Sequence, residues 1–174
     1  MNLADHIRTI PDFPKPGILF YDIMTLIQHA EAFKETIRQL THAVQDWGHI
    51  DFIVAPEARG FLFAAPLAFE LGAGLIPIRK PGKLPYTTVS KSYDLEYGSN
   101  IIQIHSDAIA PGKRVLLLDD LLATGGTLEA CRQLVAELGG EVVGAAFVME
   151  LLALEGRKKI KTPNVKSLLQ FEYC

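Results

Sequence analysis

The sequence predicts an α/β protein: a doubly wound, mostly parallel sheet flanked by helices. Three observations predict it. Short apolar runs of strand length alternate with stretches of helical period. The run Val115-Leu116-Leu117-Leu118 is apolar without alternation, as expected of a strand covered by helices on both faces. The apolar runs also end in polar, glycine-containing turns, where open α/β sheets bind ligands.

The elements follow in order. "PDFPKPGILFYDI", Pro11 to Ile23, is rich in proline and reads as irregular, with aromatic residues to spare. Phe33, Ile37, Leu40, Val44 and Trp47 recur at helical spacing, and Gly48 supplies a stop. Phe52 to Ala55 is a short buried strand that runs into Pro56-Glu57-Ala58-Arg59-Gly60. A helix from Phe61 to Leu71 closes at Gly72, and Leu75 to Arg79 is the next strand, leaving through Lys80-Pro81-Gly82-Lys83. Thr87 to Ile104 reads as β-structure interrupted at "DLEYG". The strand at Val115 leads to a helix from Leu128 to Leu138, and Glu141 to Met149 is a further buried strand. Repeated strand–helix units imply parallel pairing. No repeat, low-complexity tract or linker divides the chain, and residues 1–174 read as one domain.

Composition excludes several classes. A chain of 174 residues, 49% hydrophobic, has room for a sizeable core. A net charge of −3 and a pI near 5.9 argue against a nucleic-acid binder that relies on bulk charge. Two cysteines, Cys131 and Cys174, are too few for a disulfide framework and fit a reducing cytosol. Met1 to His6 lacks the regions of a signal peptide, and no apolar run approaches the roughly 18 residues of a membrane helix. The expectation is a cytoplasmic protein without a membrane partner.

The chemistry concentrates in "RVLLLDDLLATGGT", Arg114 to Thr127. Ala123-Thr124-Gly125-Gly126-Thr127 is small and flexible and opens onto a helix, so its backbone N–H groups suit a phosphate. Asp119 and Asp120 do not suit a phosphate and need another ligand, a sugar diol or a metal ion. No Gly-Lys-Ser/Thr follows the glycines, which excludes a Walker loop, and the adjacent glycines do not have dinucleotide-fingerprint spacing. A phospho-accepting aspartate would leave the glycine turn without a role. With Glu57 to Gly60 and Arg79 to Lys83, the strand exits offer two anion-binding patches and one acidic pair. That inventory suits a sugar carrying phosphate at both ends.

Arg114 to Thr127 resembles the phosphoribosyl-diphosphate-binding motif of type I phosphoribosyltransferases. "EARGFLF" (Glu57 to Phe63), "IRKPGKLP" (Ile78 to Pro85), "YDLEYG" (Tyr93 to Gly98) and the proline-rich start are similar, in the same order, to the adenine-specific branch of that family. The resemblance implies the type I fold with a small hood and a β-lid, residues 1–30 forming a base-binding hood and residues 84–104 a flexible lid. It implies transfer of phosphoribosyl from 5-phosphoribosyl 1-diphosphate to adenine, giving AMP and diphosphate in purine salvage. Asp119 and Asp120 then bind the ribose hydroxyls, and Ala123, Thr124, Gly125, Gly126 and Thr127 hold the 5-phosphate. Ala58, Arg59 and Gly60 face the diphosphate, joined by Arg79 and Lys83 from the same or a partner subunit of a homodimer. Phe20 and Leu151 enclose the purine, and Tyr21 stands where many relatives have arginine. Glu96, beside Tyr97, is the lid acid that handles the purine proton. Mg²⁺ is the implied cofactor, carried on substrate oxygens and water rather than in a protein cage.

Two alternatives stand beside this reading: from another class, a non-catalytic regulator that senses phosphoribosyl diphosphate, and, within the enzyme class, a transferase for another purine base. The five histidines show no metal-ligand spacing. Cys131 reads as a small buried helix residue rather than a nucleophile, and Cys174 as a spectator thiol. Arg157-Lys158-Lys159-Ile160-Lys161 reads as a solvated helix face rather than an RNA contact.

Overall fold

The structure, a computed structural model, describes residues 1–94 and 98–172. Its centre is a parallel sheet of β3 (Phe52–Pro56), β4 (Gly74–Ile78), β7 (Arg114–Leu122), β8 (Glu141–Leu151) and β9 (Val165–Phe171), in the order β4-β3-β7-β8-β9. From β3 the chain passes through α3 (Arg59–Leu71) outward to β4, then returns to lay β7 on the other side of β3. The strand order reverses between β3 and β7, and the crevice outside their carboxyl ends is the place for a ligand.

Both faces of the sheet are covered, as the uninterrupted apolar run of β7 requires. Leu116 and Leu118 pack with Leu26, Leu40, Phe63 and Leu67, beneath α1 (Met24–Gln28), α2 (Ala30–Val44) and α3. Val115 and Leu117 point the other way, to Leu128, Leu134, Phe147, Ile78 and Ile104, beneath α4 (Gly126–Glu137). These side chains are buried, and each contributes about 1.5–3 kcal/mol by leaving water.

Two antiparallel ribbons stand outside this sheet. β5 (Thr88–Asp94) pairs with β6 (Ser99–His105), as the sequence suggests for 87–104. β1 (Arg8–Pro11) pairs with β2 (Leu19–Asp22), which corrects the expectation of irregular structure from Pro11 to Ile23. The prolines at 14 and 16 lie in the connection, where their missing N–H groups are not needed by a ladder. An Arg8–Asp22 ion pair joins the two strands.

Several further boundaries differ from expectation. The first long helix, α2, ends at Val44 and tightens into a 3-10 turn over Gln45–Trp47 before Gly48. α3 begins at Arg59, two residues early, which places Arg59 and Gly60 inside its first turn. β7 runs on through Asp119 and Asp120 to Leu122, so the two acids belong to the strand rather than following it. No helix among the described residues is long and apolar enough to cross a membrane.

Candidate active site

The sequence places three loops at strand exits, and the structure brings them together at the crevice between β3 and β7. Gly60 lies so close to β7 that a side chain there would begin 2.9 Å from Asp119 Oδ1. Arg59 Nε is 2.7 Å from Asp120 Oδ2 in an ion pair, and Asp120 is almost fully buried. No hydrogen bond reaches that oxygen among the described residues. A buried acceptor in this condition has a strong preference for a donor. Asp119 is the partly covered member of the pair. Burial, and then the neighbouring Asp120 carboxyl, push its pKa well above the ordinary carboxylate range.

Ala58 precedes α3, and the Glu57–Ala58 peptide bond is cis. Glu57 carries a role the sequence does not reveal. Its Oε1 accepts the backbone N–H of Lys80 at 2.7 Å and lies 3.4 Å from Arg79 Nε. The Arg79 end of the basic turn is thereby fixed to the β3–α3 loop, and Arg79 also bridges to Gln103 of β6 through both backbone groups. Lys83 is exposed, makes no ion pair among the described residues, and gives its backbone N–H to the carbonyl of Lys80 within the turn.

Downstream of the acids, Ala123 to Thr127 turn into α4 around a cavity of about 70 Å³, lined also by Asp119, Leu128 and Phe147. That is the scale of a small anion. Gly125 has φ +86°, and a side chain on it would begin 2.5 Å from the carbonyl oxygen of Gly156. Gly156 in turn leaves only 2.3 Å to the carbonyl of Ala123. Glycine is required at both positions: at Gly125 by conformation and contact, at Gly156 by contact. The hydroxyl of Thr127 meets that of Tyr93 at 3.1 Å, which ties the β5–β6 ribbon to the turn.

The loop carrying Gly156 is itself anchored, which corrects the reading of residues 157–161 as a solvated helix face. Gly156–Lys158 is a single 3-10 turn. Arg157 gives Nε and Nη2 to the two carboxylate oxygens of Glu150, each at 2.6 Å, and Ser167 of β9 donates to the same acid. Glu150 is buried at the end of β8. Glu129 of α4 accepts the backbone N–H of Lys161 at 3.0 Å and the guanidinium of Arg132. Burial alone would raise the pKa of Glu129, but the bonds from Arg132, Lys161 and Gln133 outweigh it and hold it at about 2.

Phe20 and Tyr21 lie on β2, and Leu151 closes β8. Leu151 is paired across the ladder with Phe171, and Tyr21 stacks on Phe171 with ring centroids 4.2 Å apart. The hairpin therefore sits beside the end of β8. Phe20 meets Phe13 edge-on at 5.1 Å. Glu96, Tyr97 and Cys174 lie outside the described residues. Cys131 is buried as expected, and burial, then the Asp119 carboxyl, push its thiol up. Among the described residues no group of three or more His, Cys, Asp or Glu is placed to hold a metal ion. A larger cavity of about 1040 Å³ lies against α2 and α3, and none of the residues above lines it.

A parallel sheet with this strand order, two acids near the end of its central strand and a glycine turn at the following helix define the class. The chain belongs to the phosphoribosyl transferase domain family, which it matches over residues 23–171. Within that family it is 56% identical over 172 residues to the adenine phosphoribosyltransferase of Gluconacetobacter diazotrophicus, covering 99% of this chain and 97% of that one. It is 53% identical to the enzyme of the same name from Ruminiclostridium cellulolyticum, covering 98% and 100%. The crystal structure of adenine phosphoribosyltransferase from Thermoanaerobacter pseudethanolicus superposes with a TM-score of 0.92 at 50% identity, covering 98% and 100%. The enzyme from Saccharomyces cerevisiae, solved with an imino-altritol bisphosphate and adenine, gives 0.91 at 39% identity, covering 96% of each chain.

Proposed function

We propose that the chain is an adenine phosphoribosyltransferase, converting adenine and 5-phosphoribosyl 1-diphosphate to AMP and diphosphate. The observation that carries this reading is the Arg59–Asp120 contact, because it joins the loop suited to diphosphate with the acids suited to ribose. Beside them is a turn and cavity suited to one phosphate.

In this reading Asp119 and Asp120 accept the ribose hydroxyls, and Oδ2 of Asp120 exchanges its ion pair with Arg59 for a hydroxyl donor. As the bond from C1 to diphosphate breaks, positive charge develops on the ribose ring. Fixed carboxylates beside it stabilise that charge more than they stabilise the ground state. The N–H groups from Ala123 to Thr127 hold the 5-phosphate at the start of α4. Arg59 turns from Asp120 toward the diphosphate, with Ala58, Gly60 and Arg79. Phe20 and Leu151 enclose the purine, and Tyr97 and Glu96 close over it from the lid. The oxygen donors Asp119 and Asp120 fit a magnesium ion held chiefly by substrate oxygens and water, where it would neutralise diphosphate charge. Residues 1–174 act as one domain, with 1–30 as hood and 84–104 as lid, and the reduced thiol of Cys131 suits a cytoplasmic setting.

We further read the active form as a homodimer. Leu62 and Phe69 lie seven residues apart on one face of α3, and Phe69 is 86% exposed. Leu75 at the start of β4 is exposed as well, and the same strand leads to Arg79 and Lys83. A second copy would cover these apolar side chains and bring Lys83 to a diphosphate. If so, impaired Lys83→Ala and Asp120→Asn proteins, mixed under conditions of subunit exchange, regain activity together. A monomer in light scattering at assay concentration would end the idea.

The test of the function is a panel of bases with 5-phosphoribosyl 1-diphosphate, followed by AMP and diphosphate release. Adenine should be strongly preferred, because a 6-amino group donates where a 6-oxo group accepts, and mismatched buried polar groups are costly. Comparable turnover of guanine or hypoxanthine would indicate another purine transferase. Phosphoribosyl diphosphate binding without turnover of any base would indicate a sensor.

A further inference from the structure

The basic run Arg157 to Lys161 has no role in the reading above, and its members go to different places. Arg157 is held by Glu150, and Lys158 pairs with Glu155 at 2.5 Å. Lys161 is fixed through its backbone N–H to Glu129. Lys159 makes no ion pair among the described residues. Its Nζ lies 3.6 Å from the point where a side chain on Gly126 would begin, above the first residue of α4. The ring of Tyr93 reaches the same point at the same distance.

The backbone that carries Lys159 is fixed. Its N–H bonds to Gly156 at 3.1 Å, and Gly156 is pressed against Ala123 and Gly125. Ile160 beside it is buried. Anchors at Arg157 and Lys161, two residues to either side, hold the loop while the Lys159 side chain stays exposed next to the turn.

We propose that Lys159 is a further substrate-binding residue, whose ammonium meets the substrate's phosphate monoester at the Ala123–Thr127 turn. The proposal rests on reading that turn as the phosphate site. A phosphate monoester carries about −1.5 to −2 charge near neutral pH, whereas a helix N-terminus offers about half a positive charge. Asp119 and Asp120, a few residues upstream, supply no positive charge to offset it. A lysine at the rim supplies the missing charge as a mobile point donor, without the fixed fork that arginine would impose.

The test is calorimetric titration of the full chain with ribose 5-phosphate and, separately, with adenine. Lys159→Ala is expected to weaken ribose 5-phosphate by about 10- to 100-fold, the range for a lost charged hydrogen bond, and to leave adenine unchanged. Lys159→Arg should recover part of the loss. Lys158→Ala, one residue away and paired with Glu155, should bind as the parent does. In steady state the KM for 5-phosphoribosyl 1-diphosphate rises in Lys159→Ala while that for adenine stays. Unchanged ribose 5-phosphate affinity in Lys159→Ala overturns the proposal. So does an equal loss in Lys158→Ala, which would mean general surface charge, or an equal loss for adenine, which would mean damage to the fold. A parent protein that binds ribose 5-phosphate and shows the Lys159 effect, yet makes no AMP, would refute the adenine reading and leave Lys159 in place.

Discussion

The turn after β7 and the hairpin of β1 and β2 sit at the same end of the molecule but are held by different means. The turn grows out of the central strand of a five-stranded sheet, and Gly156 backs it at a distance no larger residue permits. Two buried acids, Glu150 and Glu129, secure the loop behind it. The hairpin is a two-stranded ribbon, joined to the sheet by the stack of Tyr21 on Phe171. Isolated ribbons of this kind are marginal in water. In the proposed reading the difference assigns tasks: the sheet fixes the phosphoribosyl group, while the peripheral ribbons hold the base.

The comparison is tested most severely on the lid, the other peripheral ribbon. Glu96→Gln is expected to keep the fold and ribose 5-phosphate affinity but lose about 10²–10⁴-fold in kcat, the range for a positioned acid or base. Asp94→Asn should lose much less. Full activity of Glu96→Gln at neutral pH would hand the purine proton to water.

A side chain in the phosphate turn should do the opposite. Gly125→Ala must displace the Gly156 carbonyl and hold a positive φ, at a cost of about 1–3 kcal/mol. It should raise the KM for 5-phosphoribosyl 1-diphosphate and lower the thermal midpoint, with the KM for adenine little changed. Equal effects on both substrates would erase the division between the two regions.

The support behind the turn has a pH signature. Glu129 is held at about 2, below its ordinary 4.5, so its contribution is complete above about 4.5 and fades as pH falls toward 2. Glu129→Gln should cost roughly 1–3 kcal/mol at neutral pH, as for hydrogen bonds to a charged acceptor. In denaturant titrations the gap between variant and parent should narrow through that acid window. A gap independent of pH would place the effect in packing instead.

The smallest effect is expected at the hood. Tyr21→Leu removes a ring stack worth about 0.5–1.5 kcal/mol, so the KM for adenine should rise a few-fold while that for the phosphoribosyl donor stays. Tyr21→Phe keeps the stack, so the difference between Tyr21→Phe and Tyr21→Leu isolates it. A shift in both KM values would show that the hood braces the whole site.

What the sequence made legible divides along the same line. β3, α3, β4, β7, α4 and β8 carry their own signals, because each buries an apolar face of the right period and the intervening turns carry glycine. The acids and the glycine turn are local chemistry, readable without a partner. β1 and β2 are four residues each, and prolines surround them, so only pairing with each other makes them strands. β9 shows little alternation, and no local signal marks it as a strand. Its place at the edge is set by β8 and by the bond from Ser167 to Glu150. Arg157 misled for the same reason: a buried carboxylate seven residues upstream turns a surface-looking cation into a structural one. Glu57 is 23 residues from the backbone group it captures, and no local pattern reveals such a pairing.

The stack of Tyr21 on Phe171 also has a consequence for the order in which the protein is made. The ribosome delivers the hairpin first and β9 last, since chains emerge from the N-terminus at about 5–20 residues per second. The hairpin can close on itself early, but the surface that seats it does not exist until the final strand has been released and added to β8. The phosphate turn and its acids are already in the chain by then. In the proposed reading the base pocket therefore cannot be completed before the last strand is in place.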